Sequence, residues 1–146
     1  MFYLLDTNIV IAYLRKHEIA RQVDLRYAPL SAINTAAISV VSVGELLALS
    51  KMNYWGNAKM RQLELLLQEL LILDIHSEEI VELYAEIDAF SQNKLQHKPL
   101  GTTPRNMGKN DIWIAATAAV SKAKFLTTDK DFAHLHNVYL DLEWIN

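Results

Sequence analysis

Short apolar runs that read as strands alternate with segments of helical period along the whole chain. That alternation restricts the fold more than any other feature. Phe2 to Leu5 reads as a buried strand, and Ala36 to Val41 has the β-branched content of a second. Leu71 to Ile75, Lys124 to Thr127 and Val138 to Leu140 supply three more. Between them, apolar residues recur at the spacing of one helix face: Ile9, Val10, Tyr13 and Leu14, then Leu63, Leu66, Leu67 and Leu70, then Ile80, Leu83, Tyr84 and Ile87. Strands that alternate with helices imply βαβ units, and therefore a mostly parallel sheet covered on both faces, a three-layer α/β/α sandwich.

The helix boundaries carry their own signals. Asp6-Thr7-Asn8 offers capping side chains to the first helix, and a second helical piece over Glu18 to Tyr27 stops before Pro29. Ser42 followed three residues later by Glu45 has the spacing of a capping box. Ser77 caps an acidic helix, whose charges read as its solvated face. Leu95 to Met107, with Pro99, Gly101 and Pro104, reads as loop. Ile112 to Val120 is alanine-rich and apolar nearly all round, the pattern of a buried helix, and Lys130 to Leu135 reads as a short helix. No internal repeat or linker divides residues 1–146, so one domain is expected.

Composition excludes several classes. Half the chain is hydrophobic (51%) with 21% charged residues and few Gly or Pro, which rules out a disordered or collagenous protein. With no Cys there are no disulfides, thiolate zinc sites or cysteine nucleophiles. The first apolar run is broken at Asp6 and the charges Arg15 and Lys16 follow it, the reverse of a secretory leader. No stretch approaches the ~20 apolar residues of a membrane span, so a cytoplasmic protein is expected. The formal charge of −3 hides an asymmetry: Arg61 to Phe90 carries eight acids against one base, while Ser91 to Asn110 carries four bases and no acid. Lys94, Lys98, Arg105 and Lys109 lead directly to Asp111, which makes them candidate contacts to a polyanion; a solvated loop is the plainer reading.

Four acids fall where a parallel α/β sheet binds ligands, beyond the carboxyl ends of its strands. Asp6 ends the first strand, Asp129 follows Phe125 to Thr128, Asp111 begins the alanine-rich helix, and Glu45 opens the helix after the second strand. Each has a structural reading as a cap or turn residue, worth roughly 0.5–2 kcal/mol. Their convergence on one edge has none, because clustered like charges repel unless a cation neutralises them. With only oxygen donors, Mg²⁺ or Mn²⁺ fits better than zinc. His134 and His136 lack helical zinc spacing and are expected at the surface; His97 lies in the basic loop. Such an ion usually meets its substrate through phosphate oxygens, and no Ser-His-Asp set or Walker lysine loop competes with it.

With these residues in hand, the chain resembles the PIN-domain nucleases, most closely the VapC-type toxins of bacterial toxin–antitoxin pairs. The resemblance rests on Tyr3-Leu4-Leu5-Asp6-Thr7-Asn8, Ser42-Val43-Gly44-Glu45-Leu46, Asn110-Asp111-Ile112-Trp113-Ile114-Ala115-Ala116 and Leu126-Thr127-Thr128-Asp129, in that order. It implies that Asp6, Glu45, Asp111 and Asp129 bind the metal and are catalytic. It implies that Thr7, Asn8 and Thr128 orient these carboxylates, with Asp131 a marginal addition. It also implies an endoribonuclease that leaves 5′-phosphate and 3′-hydroxyl ends on tRNA or other structured RNA. A homodimer and a small VapB-type antitoxin partner complete the picture. A PIN-fold RNA-processing nuclease outside a toxin pair and a silent RNA-binding module are the alternatives. A haloacid-dehalogenase-type phosphatase would need an acid where Asn8 stands, and the residue pattern of a receiver-like phosphoacceptor domain is absent.

Overall fold

The computed structural model describes residues 1–146. Five strands form the sheet: β1 (Phe2–Leu5), β2 (Thr35–Ser39), β3 (Leu71–Leu73), β4 (Lys124–Thr127) and β5 (Asp141–Trp144). All its pairings are parallel, in the order β3-β2-β1-β4-β5. Six α-helices accompany them: α1 (Thr7–Leu14), α2 (Glu18–Arg26), α3 (Val40–Met52), α4 (Asn57–Gln68), α5 (Glu78–Ser91) and α6 (Lys109–Ser121). A 3-10 helix spans Lys130–Leu135.

Strand alternation sends side chains to two cores. On one face Leu4, Ala37, Phe125 and Leu142 pack with Ile80, Ile87 and Phe90 of α5 and with Ile112, Ala115 and Ala116 of α6. On the other, Tyr3, Leu5, Ile38 and Leu126 meet Ile9 and Val10 of α1, Val23 of α2, Leu46 of α3 and Leu63 of α4. The expected three-layer sandwich is therefore present, and the alanines of α6 let it lie close against the sheet. No helix is long and apolar enough to cross a membrane.

The third strand stops at Leu73, short of the expected Ile75, and two further boundaries differ from the sequence expectation. The second strand ends at Ser39, whose hydroxyl accepts from Val41 N at 3.1 Å and caps α3. Ser42 is therefore not the cap; it is buried inside the helix, and Glu45 lies in the second turn instead of completing a capping box. Val40 and Val41 suggested strand by their branching, yet a cap and the helix contacts of α3 outweigh so small a propensity. Ser39→Ala should cost about 1 kcal/mol of stability, measurable as a lowered denaturation midpoint with unchanged slope.

The last strand is Asp141–Trp144, not Val138–Leu140. Asn137 adopts φ 61° in a tight turn that leaves Leu140 with only an isolated bridge to His136. Leu142 then pairs with Phe125, and the His136 Nδ1 accepts from Leu142 N at 3.0 Å.

The sheet has its order reversal at β1. From there the chain moves outward to β2 and β3, then returns to place β4 and β5 on the other side. The gap between the ends of β1 and β4 is a topological switch point, the place where such sheets accept ligands.

Candidate active site

Asp6 leaves the end of β1 directly at that switch point. Its backbone N–H donates to Leu126 O of β4 at 3.0 Å, so the main chain itself fixes where the carboxyl begins. The side chain caps α1 by accepting from Thr7 N at 2.8 Å. Its second oxygen accepts from the Thr127 hydroxyl at 2.6 Å. That hydroxyl in turn accepts from Asp129 N at 3.0 Å, and so joins the first acid to the last. Asp129 caps the 3-10 helix by accepting from Asp131 N at 2.9 Å.

Glu45 reaches the cleft from the second turn of α3, where the Thr7 hydroxyl donates to it at 2.7 Å. Asp111 lies in the first turn of α6, favoured there by the helix dipole. Asp6, Glu45, Asp111 and Asp129 line one cleft of about 290 Å³, together with Thr7, Asn8, Ile11 and Met52. No lysine or arginine lines it, and none of the four acids joins an ion pair.

The electrostatic consequence is visible in two carboxyls. Asp6 is pushed up to about 6, chiefly by burial and further by Glu45 and Asp129, although its bonds from Thr127 and Thr7 work the other way. Asp111 is pushed up to about 6 by burial first, then by Asp6, Asp129, Glu45 and Asp131. Uncompensated carboxylates in one cleft, with oxygen as the only donor type, suit a hard divalent cation. No three of them close into a cage that would hold an ion alone.

The supporting residues divide. Thr7 bonds Glu45 through its hydroxyl. Asn8 is exposed on the rim of the cleft. Thr128 bonds none of the acids; its carbonyl accepts from Trp144 Nε1 at 3.0 Å. The hydroxyl that holds Asp6 belongs to its neighbour Thr127, which sequence reasoning missed. Thr127→Val keeps the shape while stripping a partner from both Asp6 and the Asp129 backbone. It should lower the activity proposed below about 10–100-fold at a modest stability cost, a split that paired kinetics and melting would read.

The basic stretch also divides. Lys94 and Lys109 are exposed. Lys98 lies 4.3 Å over the Tyr139 ring and 3.7 Å from Glu86, so its charge is already engaged by α5. Arg105 lines a second cleft beside Gly108 and Asp131. His97 is exposed. His134 is not a surface residue: it is half-buried, parallel to Phe90 and 2.7 Å from the Ser91 hydroxyl, and burial then Arg105 hold its pKa down. Its partner in the motif, His136, is exposed.

An all-parallel sheet with helices on both faces and four acids lining a cleft at its switch point defines an α/β protein of the acidic-cleft kind. Comparison with known proteins sharpens that description. The pattern of the PIN domain matches residues 3–137. Ribonuclease VapC2 of Rickettsia felis is 30% identical over 145 residues, covering 97% of each chain. Among solved structures, VapBC2 from Rickettsia felis bound to a promoter DNA fragment superposes with a TM-score of 0.76 at 25% identity, covering 100% of both chains. VapBC-1 from nontypeable Haemophilus influenzae gives 0.70 at 26% identity, over 99% of this chain and 98% of the other. The chain belongs to the PIN domain family.

Proposed function

We propose that this chain is an endoribonuclease that hydrolyses RNA phosphodiester bonds with a divalent cation, and that it is the toxin of a toxin–antitoxin pair. The observation that carries the reading is the set Asp6, Glu45, Asp111 and Asp129 lining one cleft with no basic side chain to neutralise them. The name of the Rickettsia felis relative, a ribonuclease, supports it over the full length of the chain.

In this reading the four carboxylates would hold Mg²⁺ or Mn²⁺, which when bound supplies neutralisation of phosphoryl charge and a more acidic attacking water. The chain's own contribution is placement. Thr127 and Thr7 N hold Asp6 in one rotamer, Thr7 holds Glu45, and α6 carries Asp111 rigidly because its alanines are packed on the sheet. Such fixed orientation is what a site must offer before substrate arrives. Lys109, exposed at the start of the helix that carries Asp111, and the exposed Lys94 are suited to backbone phosphates of an incoming strand.

Apolar side chains left uncovered support a partnered state. Leu47 and Met52 of α3, Leu65 of α4, and Leu71 and Ile72 of the edge strand β3 are all exposed. A second copy and a small antitoxin of the VapB type would cover such surface. The test is chemical: incubation with total small RNA, then mapping of product ends. Discrete cuts with 5′-phosphate and 3′-hydroxyl ends support the reading. Intact RNA in the presence of folded, metal-loaded protein would favour a silent RNA-binding module.

A further inference from the structure

Lys98, Arg105 and the two exposed lysines look alike in the sequence, but the structure gives Arg105 a different setting. It lines a cleft of about 390 Å³ with Thr103, Asn106, Gly108 and Asp131, and with Pro104 and Met107 as the apolar part of the wall. Its Nε is buried and has no hydrogen-bond partner. No carboxylate lies within ion-pair distance of it, in contrast to Lys98, which has Glu86.

The loop that carries Arg105 is pinned from behind. Arg105 N donates to Ser91 O at 2.8 Å, and the buried Ser91 hydroxyl contacts Met107 Sδ at 3.3 Å. The same hydroxyl lies 2.7 Å from His134 Nε2, so the end of α5 ties this loop to the 3-10 helix that follows Asp129. At the loop's other end Leu100 is buried, and its N–H donates to Asn93 Oδ1 at 3.0 Å. A guanidinium on a fixed stretch of chain loses little freedom when it binds.

The cleft is a neighbour of the acidic one, although the two share no lining residue. A Cβ at Gly108 would stand 3.5 Å from Asp111 Oδ2, so this glycine separates the two clefts by no more than a backbone. Asp131, the one acid lining the second cleft, is in electrostatic reach of both Asp111 and His134. The backbone at Gly108 thus stands between a phosphate held at the four acids and the cleft that Arg105 lines.

We infer that Arg105 and its cleft form a subsite for a phosphate of the RNA strand adjacent to the one being cut. The inference rests on the nuclease reading and adds a specific contact to it. A guanidinium offers a phosphate two parallel N–H donors, which an ammonium cannot. The probe is fluorescein-labelled bulk tRNA in Mg²⁺, bound by Asp111→Asn protein so that the strand is not cut. Adding Arg105→Gln should weaken binding about 10-fold and reduce the slope of log affinity against log salt by about 1. Adding Lys98→Gln should change neither by much. Should Arg105→Gln melt early, Arg105→Lys replaces it; it keeps the charge, and should retain the salt slope while losing about three-fold in affinity. Arg105→Gln that binds with unchanged affinity and slope, or Arg105→Lys at full affinity, overturns the subsite alone. Wild-type protein that neither binds nor cuts the tRNA in Mg²⁺ overturns the nuclease reading along with it.

Discussion

Asp111→Asn should abolish RNA cleavage, by at least about 100-fold, and yet make the metal-free protein more stable. The two effects have one cause. The Asp111 carboxylate is held near three other acids with no hydrogen bond of its own, and burial and their charges push it up to about 6. Asn has the same shape, carries no charge and leaves no donor stranded. Because Asp111 is half exposed, the gain is discounted to about 1 kcal/mol, or about 2–4 °C in melting temperature for a chain of this size. Asp6→Asn should lose activity equally but gain less stability. Both Asp6 oxygens accept hydrogen bonds, from Thr7 N and from the Thr127 hydroxyl, so an amide nitrogen there would face a donor. Melting curves in chelator for the two variants and the wild type check the pattern. A loss of stability in Asp111→Asn would mean that the carboxylate plays a structural part.

The second large effect is a pH dependence that a cation should reverse. Asp6 and Asp111 both rise from the ordinary 3.8 to about 6 in the folded chain. The native state therefore holds more protons than the unfolded chain between about pH 4 and 6, and stability contributed by these groups is lost as pH rises through 6. Without metal, the protein should be more stable at pH 5 than at pH 7.5. For the buried Asp6 alone the difference between these two pH values is roughly 1 kcal/mol, since only the part of its shift above pH 5 counts. Mg²⁺ or Mn²⁺ binds the ionised form, so it should raise the melting temperature clearly at pH 7.5 and hardly at pH 5. A scan of melting temperature against pH, with and without the ion, measures this. Equal stabilisation at both pH values would place the ion elsewhere.

Much of the fold was legible because this sheet is parallel and buried. Its strands read as short apolar runs and its helices as faces, and β1 and β4 carry acids at the ends where ligands bind. Boundaries that depend on tertiary contacts were harder. Val40 and Val41 have strand-like branching but sit in α3, and Asp141–Trp144 is the strand because a turn at Asn137 consumes Val138 to Leu140.

The site shows the same division. The acids follow from strand ends, but Thr127 follows only from register. Leu5 pairs with Leu126, so the next residue of β4 stands beside Asp6, 121 positions away in the chain. Nothing local distinguishes Thr127 from Thr128. The same holds for His134, whose burial comes from Phe90 and Ser91 at the far end of α5. Arg105 and Lys98 are equivalent by composition; only the fold supplies Glu86 to one and an open polar cleft to the other.

The most direct measurement is cleavage of total small RNA by the purified chain in Mg²⁺, in Mn²⁺ and in chelator, beside Asp6→Asn and Asp111→Asn. Discrete cuts that require the ion and disappear in both variants are the predicted result. Cuts that persist in chelator, or that survive in both variants, would contradict a metal-dependent nuclease built on these four carboxylates.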